Sequence, residues 1–427
     1  MAIPTLAMIP SGYKAGKLYS VLSSDGTGDF TVARNSVATR VNQSGLIEEV
    51  GVNVPRLDYS AGGCPVLLTE IESQNKITYS EDFSNAAWDK TNLSLTSNSI
   101  ISPSGVLNST KLIPNATSSQ HKIDITRTVT NGASVSLSAF VKKGEYKFCC
   151  LYEVNSVKGR FFDLSNGTQG GTFGTAPTTS NIENYGADWY RVSITTTVPS
   201  TSARYILYVC DTISNTSFLG DATSGIHIWG AQLEEQPAAT SYIKSNSGSA
   251  TTREADLVNG AGSAATFNSL EHTFFIDLNS VFENAAFSSI SIVGSTGNVS
   301  DNRIMIFKRP SDSQVTLETR SGGSTVATET LSNIDFSLKQ KLAITIKENE
   351  VKYYRNGFLV ATDTGTIALP LSLGQITLTS GTTGDKLFAS TKDIRYYNQV
   401  LTEAETLELM SYDSFNEMAS ALQYTIK

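Results

Sequence analysis

Strand signals recur along this chain, and they constrain its fold more than any other feature. "VSLSAFVKK" (Val135–Lys143), "YKFCCLYEV" (Tyr146–Val154), "GRFFDL" (Gly159–Leu164), "WYRVSITTTV" (Trp189–Val198) and "RYILYVCD" (Arg204–Asp211) follow one another with turn residues between them. In the fourth, Tyr190, Val192 and Ile194 fall on one face and Arg191, Ser193 and Thr195 on the other. A period of two gives a strand one dry and one wet face. No helical pattern longer than a turn interrupts the run. Short strands at this spacing are buried by a β-sandwich, commonly a jelly roll.

The run leads to "IHIWGAQLEEQPAATSYI" (Ile226–Ile243), where Ile226 and Ile228 alternate with His227 and Trp229. The alternation breaks at Gly230-Ala231, where a residue without a side chain permits close backbone approach. The polar, Gly/Ser-rich "KSNSGSATTREADLVNGAGS" follows and reads as a linker, so this strand closes a sandwich and a boundary belongs near 245–255. A third block repeats the grammar with "HTFFIDL", "SISIVG", "RIMIFKR" and "QVTLETR". In "KLAITIKENEVKYYRNGFLVATDTG", Asn356-Gly357 marks a tight type I′ hairpin. Only "TEAETLELMSYDSFNEM" reads as helix: Thr402 and Glu405 form a capping-box pattern, and Leu407, Met410, Phe415 and Met418 give an apolar side to dock on its own sandwich.

The first 72 residues are turn-rich, with too few apolar runs for a core of their own, and read as an extended arm ordered against a partner. The expected organisation is therefore an arm (1–72), a sandwich (73–245), a linker (246–256), a second sandwich (257–401) and a helical tail (402–427).

Charge narrows the partners. The 427 residues carry 40 acidic and 32 basic side chains, a formal charge of −8, with no clustered basic face of the kind that phosphate neutralisation needs, so nucleic acid is disfavoured. No apolar run approaches the ~20 residues that span a bilayer, and "MAIPTLAMIP" lacks the basic start of a signal peptide. Cys64, Cys149, Cys150 and Cys210 follow neither a disulfide framework nor a zinc spacing and read as buried free thiols made in a reducing cytoplasm.

Two stretches resemble something known. "IPSGYKAGKLYSVLSSDGTGDFTVARNSVATRVNQSGLIEEVGVNVPRLDY" and "LLTEIESQNKITYSEDFSNAAWDK" resemble the opening of a family of tailed-bacteriophage virion proteins, in which such an arm precedes a carbohydrate-binding-module-like jelly roll. That module ends in "IWGAQLEEG…ATSYIPT…TRAAD"; the matching residues are Ile228–Glu235, Ala239–Ile243 and Thr252–Asp256, with Gln236 for the usual Gly and Lys244-Ser245 for Pro-Thr. More loosely, the third block resembles a laminin-G or concanavalin A-like sandwich. The fold class expected is all-β: an irregular arm, two antiparallel sandwiches (jelly roll, then concanavalin A-like) and a short C-terminal helix. The resemblance implies a structural protein on the virion surface, a head fibre or tail fibre that adheres to glycans and attaches to other virion proteins through its arm. It also implies a homo-oligomer, a trimer in preference to a dimer.

The residues offer no clear catalytic set. A glycosidase needs two carboxylates flanking the bond, ~5.5 Å apart for retention. Glu348 and Glu350 have strand spacing but fall where a hairpin turn is expected. His121, His227 and His272 lie in separate segments, and no Gly-X-Ser-X-Gly elbow is present. A non-enzymatic protein is expected, the alternatives being a polysaccharide depolymerase or an architectural capsid decoration that binds no sugar. For glycan binding the candidates are Trp229, His227, Tyr152 and Gln232, weighed against tryptophans serving as core plugs. No cofactor is expected, apart from a structural calcium ion on Asp25, Asp29 and Asp221 in Asp/Gly turns, where such residues are also ordinary turn formers.

Overall fold

The computed structural model describes residues 2–281, 287–295, 301–309, 313–380 and 385–422, excepting the side chains of 415 and 416. The protein is all-β, with antiparallel sheets and two short helices near its C-terminal end. It divides into two compact units, each assembled from separated stretches: Met1–Val37, Val50–Ile71 and Ala255–Lys427 in one, Ala38–Glu49 and Glu72–Glu254 in the other.

The unit centred on 72–254 is a sandwich of a seven-stranded and a six-stranded sheet. Along the seven-stranded sheet, Ser118–Thr128, Ser202–Cys210, Phe148–Glu153 and Lys158–Asp163 lie side by side; in the other, Thr110–Pro114, Ile226–Glu234, Ser134–Lys143 and Trp189–Thr197 do. Ile123, Leu151, Leu207 and Val209 from the first meet Leu137, Val141, Ile194 and Ile228 from the second in one buried core. The dry faces read from alternation are the faces that meet.

The Ile226–Glu234 strand stays on this core despite the break at Gly230. Ile226 and Ile228 point inward, and so do Ala231 and Leu233, which a strict period of two forbids. A bulge resolves the conflict: Phe140 pairs with Trp229 and Ser138 with Gln232, so Gly230 and Ala231 together oppose Ala139. Gly230 takes φ +60°, which glycine adopts freely.

The other unit sandwiches an eight-stranded sheet against a five-stranded one. Phe274, Ile276, Ile344 and Ile394 face Ile290, Ile304, Leu317 and Ile376 across its core. The Asn356-Gly357 hairpin forms as expected, with φ +48° and +86° joining Glu350–Arg355 to Phe358–Thr364.

The first 72 residues do not stand apart as an arm. Leu6–Met8 pairs with the Ala389–Tyr397 strand, Leu6 opposite Tyr396, and Val66–Thr69 pairs with its start. Phe30–Ala33 pairs with Leu257–Asn259. Runs too short for their own core are completed by strands from far along the chain. Beneath them Asp256 binds both Arg34 (2.9 Å) and Arg56, and Arg56 also binds Glu70 at 2.6 Å, all four residues being buried.

The tail is two helices, Glu403–Ser411 and Phe415–Ala421, rather than one. Thr402 and Glu405 make the full capping box, and Ser414 caps a second start. Leu409, Met410 and Met418 pack with Phe275, Ala343 and Tyr354 on the outer side of the eight-stranded sheet. Lys341 Nζ donates to the carbonyls of Met410 (2.6 Å) and Tyr412 (2.5 Å), satisfying the end of the first helix, whose last turn holds no basic residue.

Candidate functional site

The four residues nominated for glycan contact do not converge. Tyr152 belongs to the seven-stranded sheet, whereas His227, Trp229 and Gln232 belong to the six-stranded one.

Trp229 is 2% exposed, which removes it as a stacking platform. Its ring packs against Phe140 (5.3 Å) and Tyr242 (4.7 Å), in a cluster with Val41 and Ile47. Asn108, with its amide oriented to satisfy its neighbours, accepts from Trp229 Nε1 at 3.2 Å. The outward face of this strand is wet by alternation alone, but segments distant in sequence cover it. Trp88 and Trp189 are buried as well, each donating its ring N–H to a carbonyl, of Tyr79 and of Ile101.

Gln232 is structural. Its Oε1 accepts from Ile243 N at 2.7 Å, and its Nε2 donates to Glu234 at 2.6 Å. Glu234 accepts further from Ser73 Oγ at 2.7 Å and Thr240 N at 3.0 Å, while Arg253 donates to Ser241 Oγ at 2.9 Å. The "GAQLEE…ATSYI…TR" signature thus ties the strand to its returning chain.

The carboxylates nominated for calcium have other partners. Asp25 Oδ1 accepts from Thr27 Oγ1 at 2.7 Å and from Thr27 N and Ser23 Oγ, both at 2.9 Å, and these bonds, the Thr27 hydroxyl first, lower its pKa. Asp29 pairs with Lys17 at 3.0 Å, an ammonium where a metal cation would sit. Asp221, in the other unit, accepts from Ser224 Oγ at 2.6 Å and from Ser224 N and Thr223 N at 2.7 and 2.8 Å, bonds that hold its pKa low. Among the described residues no three His, Cys, Asp or Glu side chains are grouped to hold a metal ion. These residues do not fit a calcium site.

The cysteines are free thiols; Cys149, Cys150 and Cys210 are buried, and Cys64 is exposed. Glu348 lies in the turn before Glu350–Arg355, and Glu350 pairs with Lys347 at 3.1 Å.

Tyr152 sits on the most unusual surface of this sandwich. The outer face of the seven-stranded sheet carries a row in register across five strands, Asp124–Ile206–Tyr152–Gly159–Phe173, and beside it Lys122–Tyr208–Cys150–Phe161. Tyr152 and Phe173 are half-buried and meet edge to face at 4.9 Å; Phe173 also meets Tyr208 at 5.5 Å. A Cβ on Gly159 would lie 2.9 Å from Tyr152 Cδ2, so the glycine lets the ring approach the neighbouring strand closely. At the other end, buried Asp124 binds Lys122 (3.1 Å) and Arg204 (2.7 Å). The Asp124 bond is the first cause raising the pKa of Arg204, and burial pushes the Tyr208 phenol up to about 12. The face is a patch of aromatic rings bordered by fixed polar groups. Its signal is present in the sequence: "YKFCCLYEV" and "RYILYVCD" are apolar on both faces, which a strand with one wet face is not.

Comparison with known protein families gave no match, and comparison with curated proteins gave none. Among solved structures, the Ruminococcus gnavus IT-sialidase CBM40 bound to α2,3-sialyllactose is 21% identical, with 36% of this chain and 93% of that chain covered at a TM-score of 0.29. Full-length tailspike protein 2 from Escherichia coli O157:H7 bacteriophage CAB120 is 13% identical, with 37% and 23% covered at 0.29. A heptameric SAP-like pentraxin from Limulus polyphemus is 11% identical, with 34% and 71% covered at 0.25. Each likeness is confined to about a third of this chain.

Proposed function

We propose that this chain is a non-enzymatic structural protein of a tailed-bacteriophage virion, a head or tail fibre that adheres weakly to surface glycans. The virion assignment rests on the wording of residues 9–59, 67–90 and 228–256. The observation that carries the adhesion is the outer face of the seven-stranded sheet, where Tyr152 and Phe173 present rings beside the Lys122–Asp124–Arg204 polar border. Sugar C–H faces stack on such rings, and hydroxyls pair with such groups. Weak contacts gain strength in a homo-oligomer, for which a trimer is our reading, because linked copies bind together. Attachment to other virion proteins is assigned to the first 72 residues.

The test is a glycan panel on the intact protein followed by titration of the best binder. Tyr152→Ala is expected to weaken binding roughly tenfold, the loss of one stacking contact, while Tyr152→Phe keeps the ring and most of the affinity. No binding at millimolar concentrations overturns adhesion and favours an architectural role. Release of reducing sugar from host polysaccharide overturns the non-enzymatic reading.

A further inference from the structure

The outer face of the six-stranded sheet holds a cluster that adhesion through Tyr152 leaves unused. Lys111 pairs with His227, and His227 with Lys142, on three adjacent strands. Their neighbours Leu112, Ile228 and Val141 are in the core, so the three side chains stand outward. Two ladder steps of about 4.8 Å separate the flanking strands, placing the lysine backbones about 10 Å apart with the imidazole between them.

This row already holds a carboxylate at one end. Glu145, itself largely exposed, takes Lys111 Nζ at 2.8 Å and Gly225 N–H at 2.9 Å. Lys142 gives one N–H to the Ala187 carbonyl at 2.6 Å, which leaves two. Ser99 Oγ holds His227 Nδ1 at 2.9 Å, and Nε2 has no hydrogen-bond partner among the described residues. Glycines keep the approach open: a Cβ at Gly144 would lie 2.4 Å from the Gly225 carbonyl oxygen and 3.7 Å from His227 Nε2. At the rim the Thr223 carbonyl takes a further bond from Lys111 Nζ at 3.1 Å, and the Ser224 hydroxyl donates to Asp221 at 2.6 Å.

We propose that Lys111, His227 and Lys142 form a subsite for the carboxylate of an acidic sugar. Two ammonium groups against the one carboxylate of Glu145 leave a single positive charge beside a neutral imidazole, which suits a monoanion and leaves a phosphate dianion uncompensated. That the carboxylate is carried by a sugar rests on the function proposed above; the oxyanion chemistry itself does not.

Ligand-observed saturation-transfer NMR on the intact protein, with glucuronate, glucose and acetate as probes, tests the subsite. Glucuronate is expected to bind in the millimolar range, more tightly than acetate, and glucose not at this site. Lys111→Met and Lys142→Met should each weaken glucuronate about tenfold, the loss of one charge-assisted hydrogen bond. Because Lys142 also supports the Ala187 turn, Glu145→Gln supplies a variant that gains affinity, which local unfolding does not mimic. Tyr152→Ala should leave glucuronate binding unchanged, so failure of the aromatic face and failure of this subsite are separately visible. Absence of glucuronate binding, or equal binding by all these variants, overturns the subsite. Acetate binding as tightly as glucuronate overturns its assignment to a sugar.

Discussion

Gly230 and Phe140 meet so closely across the bulge that a Cβ on Gly230 would lie 2.9 Å from Phe140 Cδ2 and 3.2 Å from the Tyr242 ring. With φ at +60°, the backbone is also in the left-handed region. Gly230→Ala is expected to destabilise this sandwich by roughly 2–4 kcal/mol, combining the left-handed penalty with overpacking. A lowered urea midpoint followed by tryptophan fluorescence checks it, since Trp229 and Phe140 form part of the same cluster. An unchanged midpoint would contradict the packing described.

Asp256 is the hub of a buried ionic cluster, with Arg34 and Arg56 both directed at it. Burial and neutralisation here are inseparable: Arg56 stays charged because Asp256 and Glu70 offset its desolvation. Asp256→Ala leaves two buried guanidinium groups with too little negative charge and should cost about 3–5 kcal/mol. Differential scanning calorimetry is expected to show the transition of the unit containing residues 255–427 lowered, with the other transition in place.

His272 gives that unit a pH dependence. Its Nδ1 donates to the Asn268 carbonyl at 2.8 Å, its Nε2 is buried without a hydrogen-bond partner among the described residues, and burial pushes its pKa down to about 4. The unfolded chain binds the proton near pH 6.5, about 2.5 units higher. The unfolded state therefore gains protons first as pH falls, and stability drops from about pH 6.5 down to about 4, by about 3 kcal/mol in full. Denaturant midpoints at pH 7.5 and 4.5 should fall less in His272→Gln than in the native protein; an equal fall would remove His272 as the cause.

Thr402 Oγ1 accepts from Glu405 N at 3.3 Å, and the Thr402 N–H donates to Glu405 Oε2 at 2.9 Å, which closes the capping box. Thr402→Ala should cost about 1 kcal/mol, confined to Glu403–Ser411. Hydrogen exchange of those amides is expected to quicken severalfold while the Gln340–Lys347 strand beneath keeps its protection.

Local signals survived folding where one neighbourhood decides the outcome. The strands around Val192 and Leu207, the Asn356-Gly357 turn and the Thr402 cap were legible because each depends on residues a few positions apart. Trp229 misled because its cover comes from Val41, Ile47 and Tyr242, which no period of two along Ile226–Glu234 reveals. Tyr152 was legible as an aromatic on a strand, but its companions Phe173 and Tyr208 arrive through registers set by other strands. The same holds for residues 1–72: "LAM" carries no mark of a partner at Ile394–Tyr396.

That pairing orders events during synthesis. Leu6–Met8 leaves the ribosome long before its neighbour in the sheet, the Ala389–Tyr397 strand, is made. The stretch 72–254, complete apart from Ala38–Glu49, can collapse while the later strands are still being translated. The opening residues must meanwhile wait, unpaired and partly apolar, for Ala389–Tyr397 to emerge. A translational stall between the two segments would therefore leave Leu6–Met8 exposed beside an already folded 72–254 stretch.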